Sequence, residues 1–285
     1  MENNYLFEFY KERDLGSILS DTFAFLRQNW RDMLAKTWKI LLPYLVLVIG
    51  FSIFFFMSFG NFIEAVSSEN VGAFFTKFFV FILLLLIFSV ITELTVLNYI
   101  KLYITNEGYV DERELKKRVY KKIFPLIILH ILIGIIINIG ILFFIIPGIY
   151  FSVVLFFAPY IYIFEDKSIG ESISASFSLV SGRWWITFGT IIVISLIYGV
   201  MGYIFSLPQL IYQLAFPLVK DAQTFNVVDL FKDPVYLLLN VISMLGKFIM
   251  SVISLISMAL VYFDLYEYKT SSGLINKIDD LGSEA

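Results

Sequence analysis

The sequence predicts an all-α polytopic membrane protein, with about six transmembrane helices plus two amphipathic interfacial helices on the cytoplasmic side. Three observations lead there. The 285 residues are 59% hydrophobic and only 16% charged, where a soluble domain carries about 25% charged residues. Mean hydropathy is +0.83, and several apolar runs reach about 20 residues, the length that crosses a bilayer as a helix. Lys and Arg are distributed very unevenly between alternate loops, as the positive-inside bias requires.

Composition also narrows the chemistry. Thirty-one Phe and seventeen Tyr suit lipid-facing and interfacial positions. There is no Cys, which excludes disulfides, Cys-ligated zinc, iron–sulfur clusters and thiol catalysis. The net charge of −3 says little about partners. Charged residues near the N-terminus, Glu2, Glu8, Lys11, Glu12, Arg13 and Asp14, leave no apolar core there. No cleavable signal peptide is read, and the first span is expected to do the targeting.

Residues 1–13 read as a polar, partly aromatic cytoplasmic tail. Residues 14–36 form the first amphipathic helix, with Ser17, Ser20, Asp21, Ala24, Arg27, Gln28 and Arg31 on its polar face. Leu15, Ile18, Leu19, Phe23, Leu26 and Trp30 face the lipid or the bundle. The first span is 38–59, with Pro43 in its first turns, where proline is best tolerated. A short polar loop, 61–73, leads to the second span, 74–104. That span is about 30 residues, or roughly 45 Å, so its cytoplasmic end is expected to project from the bilayer.

Residues 105–122 are the most charged stretch and read as holding a short surface helix. The third span is 124–146, the dipeptide Pro147-Gly148 makes a tight turn, and 150–164 returns as a short fourth span containing Ala158-Pro159. Next comes the second amphipathic helix, 170–184, GESISASFSLVSGRW. Ile169, Ile173, Phe177, Val180 and Trp184 share one face, and Ser174, Ser178 and Ser181 the other. Ser168 followed by Glu171 reads as a capping box. The fifth span is 186–207, the external loop 208–234 holds an interfacial helix near 211–216, and the sixth span is 235–266. The tail from Lys269 reads as polar and frayed.

With both termini inside, the cytoplasmic side receives Lys11, Arg13, Arg27, Arg31, Lys36, Lys39, the cluster 101–122, Lys167, Arg183, Lys269 and Lys277. The outside receives Lys77, Lys220 and Lys232. The expected address is therefore the plasma (inner) membrane, multi-pass, with both termini cytoplasmic.

A repeat is also visible. Shifting 14–30 by 154 residues brings Gly16, Ser20, Phe23 and Trp30 onto Gly170, Ser174, Phe177 and Trp184, Thr22 and Leu26 onto Ser176 and Val180, and the cap candidate Asp14 onto Ser168. Residues 103–108 and 268–273 end the second and sixth spans similarly. The single membrane domain 1–285 then divides into a tail (1–13), a first half (14–108), an inserted hairpin (109–166), a second half (167–273) and a tail (274–285). Halves of equal orientation imply parallel repeats about an axis along the membrane normal.

The order Ile145-Ile146-Pro147-Gly148-Ile149-Tyr150, an apolar run, Ala158-Pro159, Glu165, Gly170-Glu171, Ser172 or Ser174, Ser176, Trp184 and Phe188-Gly189 resembles one bacterial family. It is the membrane domain fused to some glycerophosphoryl diester phosphodiesterases, with stand-alone relatives in the YciC-like group of uncharacterised inner-membrane proteins. The likeness covers roughly 116–202. It implies a fold and a membrane address, and not the phosphodiesterase reaction, which belongs to a separate soluble barrel.

No HExxH, GxSxG, Walker loop or dinucleotide glycine motif occurs, so no catalytic residue, metal ligand or cofactor is assigned and the chain reads as a non-enzyme. An intramembrane polar set stands out: Glu93, Asn98, His130, Asn138 and Lys247. A carboxylate at a helix centre costs about 2.5–3.5 kcal/mol on insertion scales. Glu93 reads either as a proton, cation or headgroup site, or as a structural hydrogen-bonder to Thr92, Asn138 or a neighbouring helix. His130 reads as backbone-bonded or proton-handling. Lys247 could pair with Glu93 only with helix offset or tilt, because counted rise separates them by roughly 8–10 Å in depth. Otherwise it faces a water-filled crevice or snorkels outward.

Lys116, Lys117, Arg118, Lys121 and Lys122 are candidates for anionic lipid, or simply set topology. Trp30, Trp184 and Trp185 are candidate interfacial anchors. The expected partners are membrane lipids and other membrane proteins, with no nucleic acid. Two functions stand open: a non-enzymatic protein organising lipid or partner proteins at the inner leaflet, and a small transporter using the polar residues in the spans. A membrane enzyme acting on lipid comes third.

Overall fold

The structure is a computed structural model describing residues 6–67, 71–219 and 227–283, with side chains at 6–58, 72–217 and 228–271. Among the described residues every regular element is a helix: α1 Leu15–Ser67, α2 Val71–Thr105, α3 Glu112–Phe143, α4 Ile145–Leu155, α5 Ala158–Phe164, α6 Ile169–Val180, α7 Trp184–Ile204, α8 Leu207–Val219, α9 Val227–Lys232 and α10 Pro234–Ser283. Six segments are long and apolar enough to cross a membrane: Leu15–Ser58, Gly72–Thr105, Glu112–Phe143, Ile145–Phe164, Trp184–Ile204 and Pro234–Ser271. The expected all-α polytopic class is what the chain forms.

Several expected boundaries move. The helix expected over 14–36 is continuous with the first span, because α1 runs unbroken for 53 residues. Asp14 does start it, accepting from the Ser17 amide at 2.7 Å. The second copy does break: α6 stops at Val180, and Gly182 adopts φ +86° before α7 opens at Trp184. The aligned position in the first copy is Gln28, a good helix former, so α1 has no stop signal there. Trp184 thus begins a new helix and does not extend the amphipathic face. The surface helix expected within 105–122 is the start of α3, capped by Asp111 with Glu112 and Glu114 in its first turn. Residues 61–67 and 71–73, expected as loop, are helical, and α10 continues through 269–283, expected as frayed tail. Residues 1–5, 68–70, 220–226 (with Lys220) and 284–285 lie outside the described residues.

Burial separates the positions that meet protein from those left exposed. Over 15–36 of α1 the buried positions are Ile18, Thr22, Phe25 and Met33, while Phe23 and Trp30 are exposed. In α6 the buried positions are Ser172, Ser176, Leu179 and Val180, with Ile173 and Phe177 half-buried. The two inward serines return their hydroxyls to the backbone carbonyls of Ser168 and Ile173. They therefore pass as small residues and let α6 approach α4 and α5 closely. The Ser168–Glu171 capping box forms as expected.

The chain divides into two compact units. The first comprises Met1–Thr37, Glu93–Ser195 and Ile253–Ala285. Its core is aromatic: Phe9 packs edge-on against Phe25 at 5.1 Å and Tyr103 at 6.0 Å, and against Phe263 at 5.4 Å. Phe164 continues the cluster to Phe263 and Tyr262. Within 6–13, expected as a tail, Phe9 and Arg13 are buried, while Leu6, Glu8, Tyr10, Lys11 and Glu12 are exposed. The second unit comprises Trp38–Thr92 and Leu196–Val252. Phe55 stacks on Phe81 at 5.1 Å, and Phe216, Leu230 and Tyr236 form a second cluster. Asp233 starts α10 by accepting from the amides of Val235 and Tyr236.

The α3–α4 hairpin turns through one extended residue, Phe144, with φ −159° and ψ 144°. Pro147-Gly148 is therefore inside the first turn of α4 and not the turn itself. A Cβ at Gly148 would lie 2.3 Å from Ile141 Cγ1 and 2.9 Å from Ile141 N. Gly148→Ala is expected to wedge the arms apart and cost about 1–3 kcal/mol, the usual range for overpacking. A lowered unfolding midpoint in detergent checks this, with Gly134→Ala as the neutral control, since its Cβ would meet nothing within 4 Å.

The last carbonyls of α5 have no partners within that helix. Lys101 closes one, Ile163 O at 2.8 Å, and Lys122 reaches Tyr162 O at 3.4 Å. Both ammoniums also hold Asp166, each at 2.5 Å. Asp166 sits at φ +52°, a left-handed conformation that this double bridge fixes. Partial burial pushes its carboxyl up, but the hydrogen bonds from Lys101 and Lys122 outweigh that and hold it below 3.8. A carboxylate lowered by folding stabilises above its unfolded pKa and loses that contribution as pH falls through the folded one. The clamp is therefore expected to survive mild acid and to open only below about pH 3.8, and Asp166→Asn should abolish that acid step in a pH-melting series.

Candidate functional site

The Lys101–Asp166–Lys122 clamp sets the register of α2 against α3. Glu93 lies eight residues before Lys101, and His130 lies eight after Lys122. The helices run in opposite senses, so equal offsets bring both side chains to one level, about 12 Å beyond the clamp. They meet there: His130 Nε2 is 3.2 Å from Glu93 Oε2. The Glu93 side chain is 12% exposed and that of His130 41%, so the imidazole forms the open edge of a covered carboxylate. Fully buried Tyr160, from α5, lies within electrostatic reach of Glu93.

The hydrogen-bond inventory fixes one proton in this pair. His130 Nδ1 is 2.9 Å from Leu126 O, so both ring nitrogens face acceptors. A neutral imidazole has one N–H. With that hydrogen donated to Leu126 O, the Nε2···Oε2 contact needs a second proton, carried by an imidazolium or by a carboxylic acid. Removing it would set a lone pair against a carboxylate.

Asn98, one turn and a residue closer to the clamp, is fully buried. Its amide donates to Leu94 O at 2.8 Å, while its Oδ1 has no partner among the described residues. The other expected members lie apart. The exposed Asn138 donates to Gly134 O at 2.7 Å and is eight residues beyond His130 on α3. Lys247 belongs to the second unit, where its stem passes Gly202 and its ammonium lies 5.4 Å over the Tyr203 ring. Thr92 gives its hydroxyl to Phe88 O.

The basic cluster splits. Lys122 serves the clamp, and Arg118 pairs with Glu114 one turn back at 2.8 Å. Lys116, Lys117 and Lys121 point outward, alongside exposed Tyr120 and Phe124. Trp184 stacks on Phe188 at 5.2 Å and on Tyr150 at 5.9 Å, which ties α7 to α4, while Trp185 is exposed. Trp30 is exposed, with the Arg31 guanidinium 5.3 Å over its ring.

One cluster went unread in the sequence. The Arg13 amide donates to Asp264 Oδ1 at 2.8 Å, and Arg183 reaches Asp264 Oδ2 at 3.4 Å and covers the Tyr268 ring at 3.8 Å. Asp264, inside the apolar run ALVYFDLY, was the available signal. Among the described residues no group of three His, Cys, Asp or Glu could hold a metal ion.

No curated protein and no solved structure matches the chain. Residues 49–222 match the family model described as an uncharacterised protein family (UPF0259). That stretch is more than half the chain and contains Glu93, Asn98, His130, the clamp and the basic face of α3. The chain belongs to the uncharacterised protein family UPF0259.

Proposed function

We propose that this protein is a non-enzymatic, multi-pass protein of the inner membrane, both termini cytoplasmic, that organises anionic lipid at the inner leaflet. The observation that carries the reading is the division of the basic cluster. Lys122 and Arg118 are taken up internally, while Lys116, Lys117 and Lys121 stay exposed beside Tyr120 and Phe124. Ammoniums above an aromatic fringe suit a headgroup layer, with rings at ester depth and charges on phosphate. Near an anionic surface each basic residue contributes about 1 kcal/mol. The resemblance to the phosphodiesterase-associated membrane domain and the YciC-like group supports the same address.

Native mass spectrometry of protein released from nanodiscs of mixed zwitterionic and anionic phospholipid tests it. The wild type is expected to retain anionic lipid, and the triple variant Lys116→Gln/Lys117→Gln/Lys121→Gln to lose most of it, while Lys232→Gln retains it. Equal retention by the triple variant and the wild type would remove the assignment to this face.

A second reading, a small transporter, draws on two polar features of α2: the Glu93–His130 contact and, five residues on, the unpartnered Asn98 Oδ1. Solid-supported-membrane recordings across a solute panel discriminate. Currents present in the wild type and absent in Glu93→Gln would favour transport, and silence in both would favour lipid organisation.

A further inference from the structure

We infer that the α3–α4 turn ends within the outer leaflet, with Leu142, Phe143, Phe144, Ile145 and Ile146 among lipid acyl chains near the glycerol-ester level, and does not emerge into water as an external loop. The inference rests on the membrane reading and its orientation.

Residues 123–164 contain no Asp, Glu, Lys or Arg, so the hairpin has no charged group to mark an exit. At its tip five consecutive apolar side chains are 70–84% exposed. A patch of that kind in water would be a strong liability. Length agrees. From Lys122, held at the clamp, to Phe143 is 21 residues, or about 32 Å of rise. That matches the roughly 30 Å hydrocarbon thickness and leaves nothing to cross the far headgroups. The returning arm, Ile145–Phe164, has 20 residues, broken between α4 and α5, and is no longer.

The turn itself is built for such a place. Backbone polar groups in hydrocarbon must be satisfied internally. A one-residue turn keeps their number small. Phe144 N donates back to Gly140 O at 3.0 Å, and Gly148 N reaches Phe144 O at 3.4 Å. Pro147 has no N–H to leave unpaired. The remaining first amides of α4 have no intrahelical partner, and ester and phosphate oxygens of the outer leaflet would accept from them. The close approach of the arms at Gly140 and Gly148, where a Cβ on Gly140 would stand 3.0 Å from Gly148 Cα, is what permits so tight a return. A hairpin that enters and leaves on one side keeps both termini on the same side, as the Lys and Arg distribution asks.

The natural absence of Cys makes the test direct. Ile145→Cys and Leu142→Cys, both at exposed positions, are labelled with bimane and reconstituted in phosphatidylcholine vesicles, beside Lys232→Cys as the aqueous control. The expected result at both tip positions is loss of most fluorescence with a nitroxide high on the acyl chain and little loss with iodide, the reverse of Lys232→Cys. Iodide quenching equal to the control would overturn the proposal in favour of an aqueous loop. Protection from both quenchers would overturn it in favour of a protein partner or a second copy over the tip. Lipid retention by the α3 basic face is a separate readout, so failure of either proposal leaves the other standing.

Discussion

Arg13→Met is expected to destabilise the first unit by about 3–5 kcal/mol and to release residues 6–14 from it. The Arg13 side chain is 1% exposed, and all three of its guanidinium nitrogens donate. Nε donates to Asp21 at 2.8 Å, Nη1 to Phe9 O at 2.6 Å and Lys11 O at 3.1 Å, and Nη2 to Glu8 O. Arg13 thus folds the segment preceding α1 around itself. That fold presents Phe9 to Phe25, Tyr103 and Phe263, and places the Arg13 amide on Asp264. Methionine keeps the apolar stem and removes every donor. It leaves buried acceptors with nothing to accept, and each such loss costs about 1–3 kcal/mol. Arg13→Lys keeps the charge but lacks the planar fork, so it should recover only part of the loss. Hydrogen exchange on residues 7–13 and the unfolding midpoint check both variants. Unchanged exchange in Arg13→Met would show that aromatic packing alone holds the segment.

The helices were legible because a bilayer demands long apolar runs, and local capping chemistry survives any context. Asp14 and the Ser168–Glu171 pair do what their spacing predicts. The inward faces were not legible. In a membrane protein both sides of a helix are apolar, so hydrophobic period alone does not say which side meets protein. α1 turns Phe25 inward and Phe23 outward because residues 6–13 supply Phe9 on that side, a contact between segments that no window on α1 contains. The inward serines of α6 fail the hydrophobic rule for another reason, since tight approach rewards small residues, as in membrane helix packing generally. Of the polar set, Glu93 and His130 meet, while Asn138 and Lys247 have partners elsewhere. The pairing was latent in the equal eight-residue offsets from Lys101 and Lys122. Reading it required knowing that both lysines seek Asp166, which lies in a four-residue connection between α5 and α6.

The Glu93–His130 pair gives the other large effect, and the asymmetry of its variants is the informative part. His130→Leu removes the group that shares a proton with a carboxylate whose side chain is 12% exposed. Glu93 then loses the imidazole contact with nothing in its place, and breaking a covered pair from one side costs about 3–5 kcal/mol. Glu93→Gln should be mild. The glutamine amide donates to the lone pair of a neutral His130 while the ring keeps its bond to Leu126 O, so the geometry survives without the extra proton. Glu93→Leu/His130→Leu should regain most of what His130→Leu loses, because replacing both partners by apolar groups is often close to neutral. The expected cycle is therefore strongly non-additive, as for residues in direct contact. Unfolding midpoints of His130→Leu, Glu93→Leu, Glu93→Gln and the double variant in one detergent supply it. If His130→Leu is as stable as the wild type, Glu93 is satisfied without the imidazole, and the shared proton is not a feature of the folded protein. If the cycle closes as expected while Glu93→Gln leaves lipid retention intact, the pair is a structural contact within the bundle. The outward face of α3 then carries the lipid contact alone.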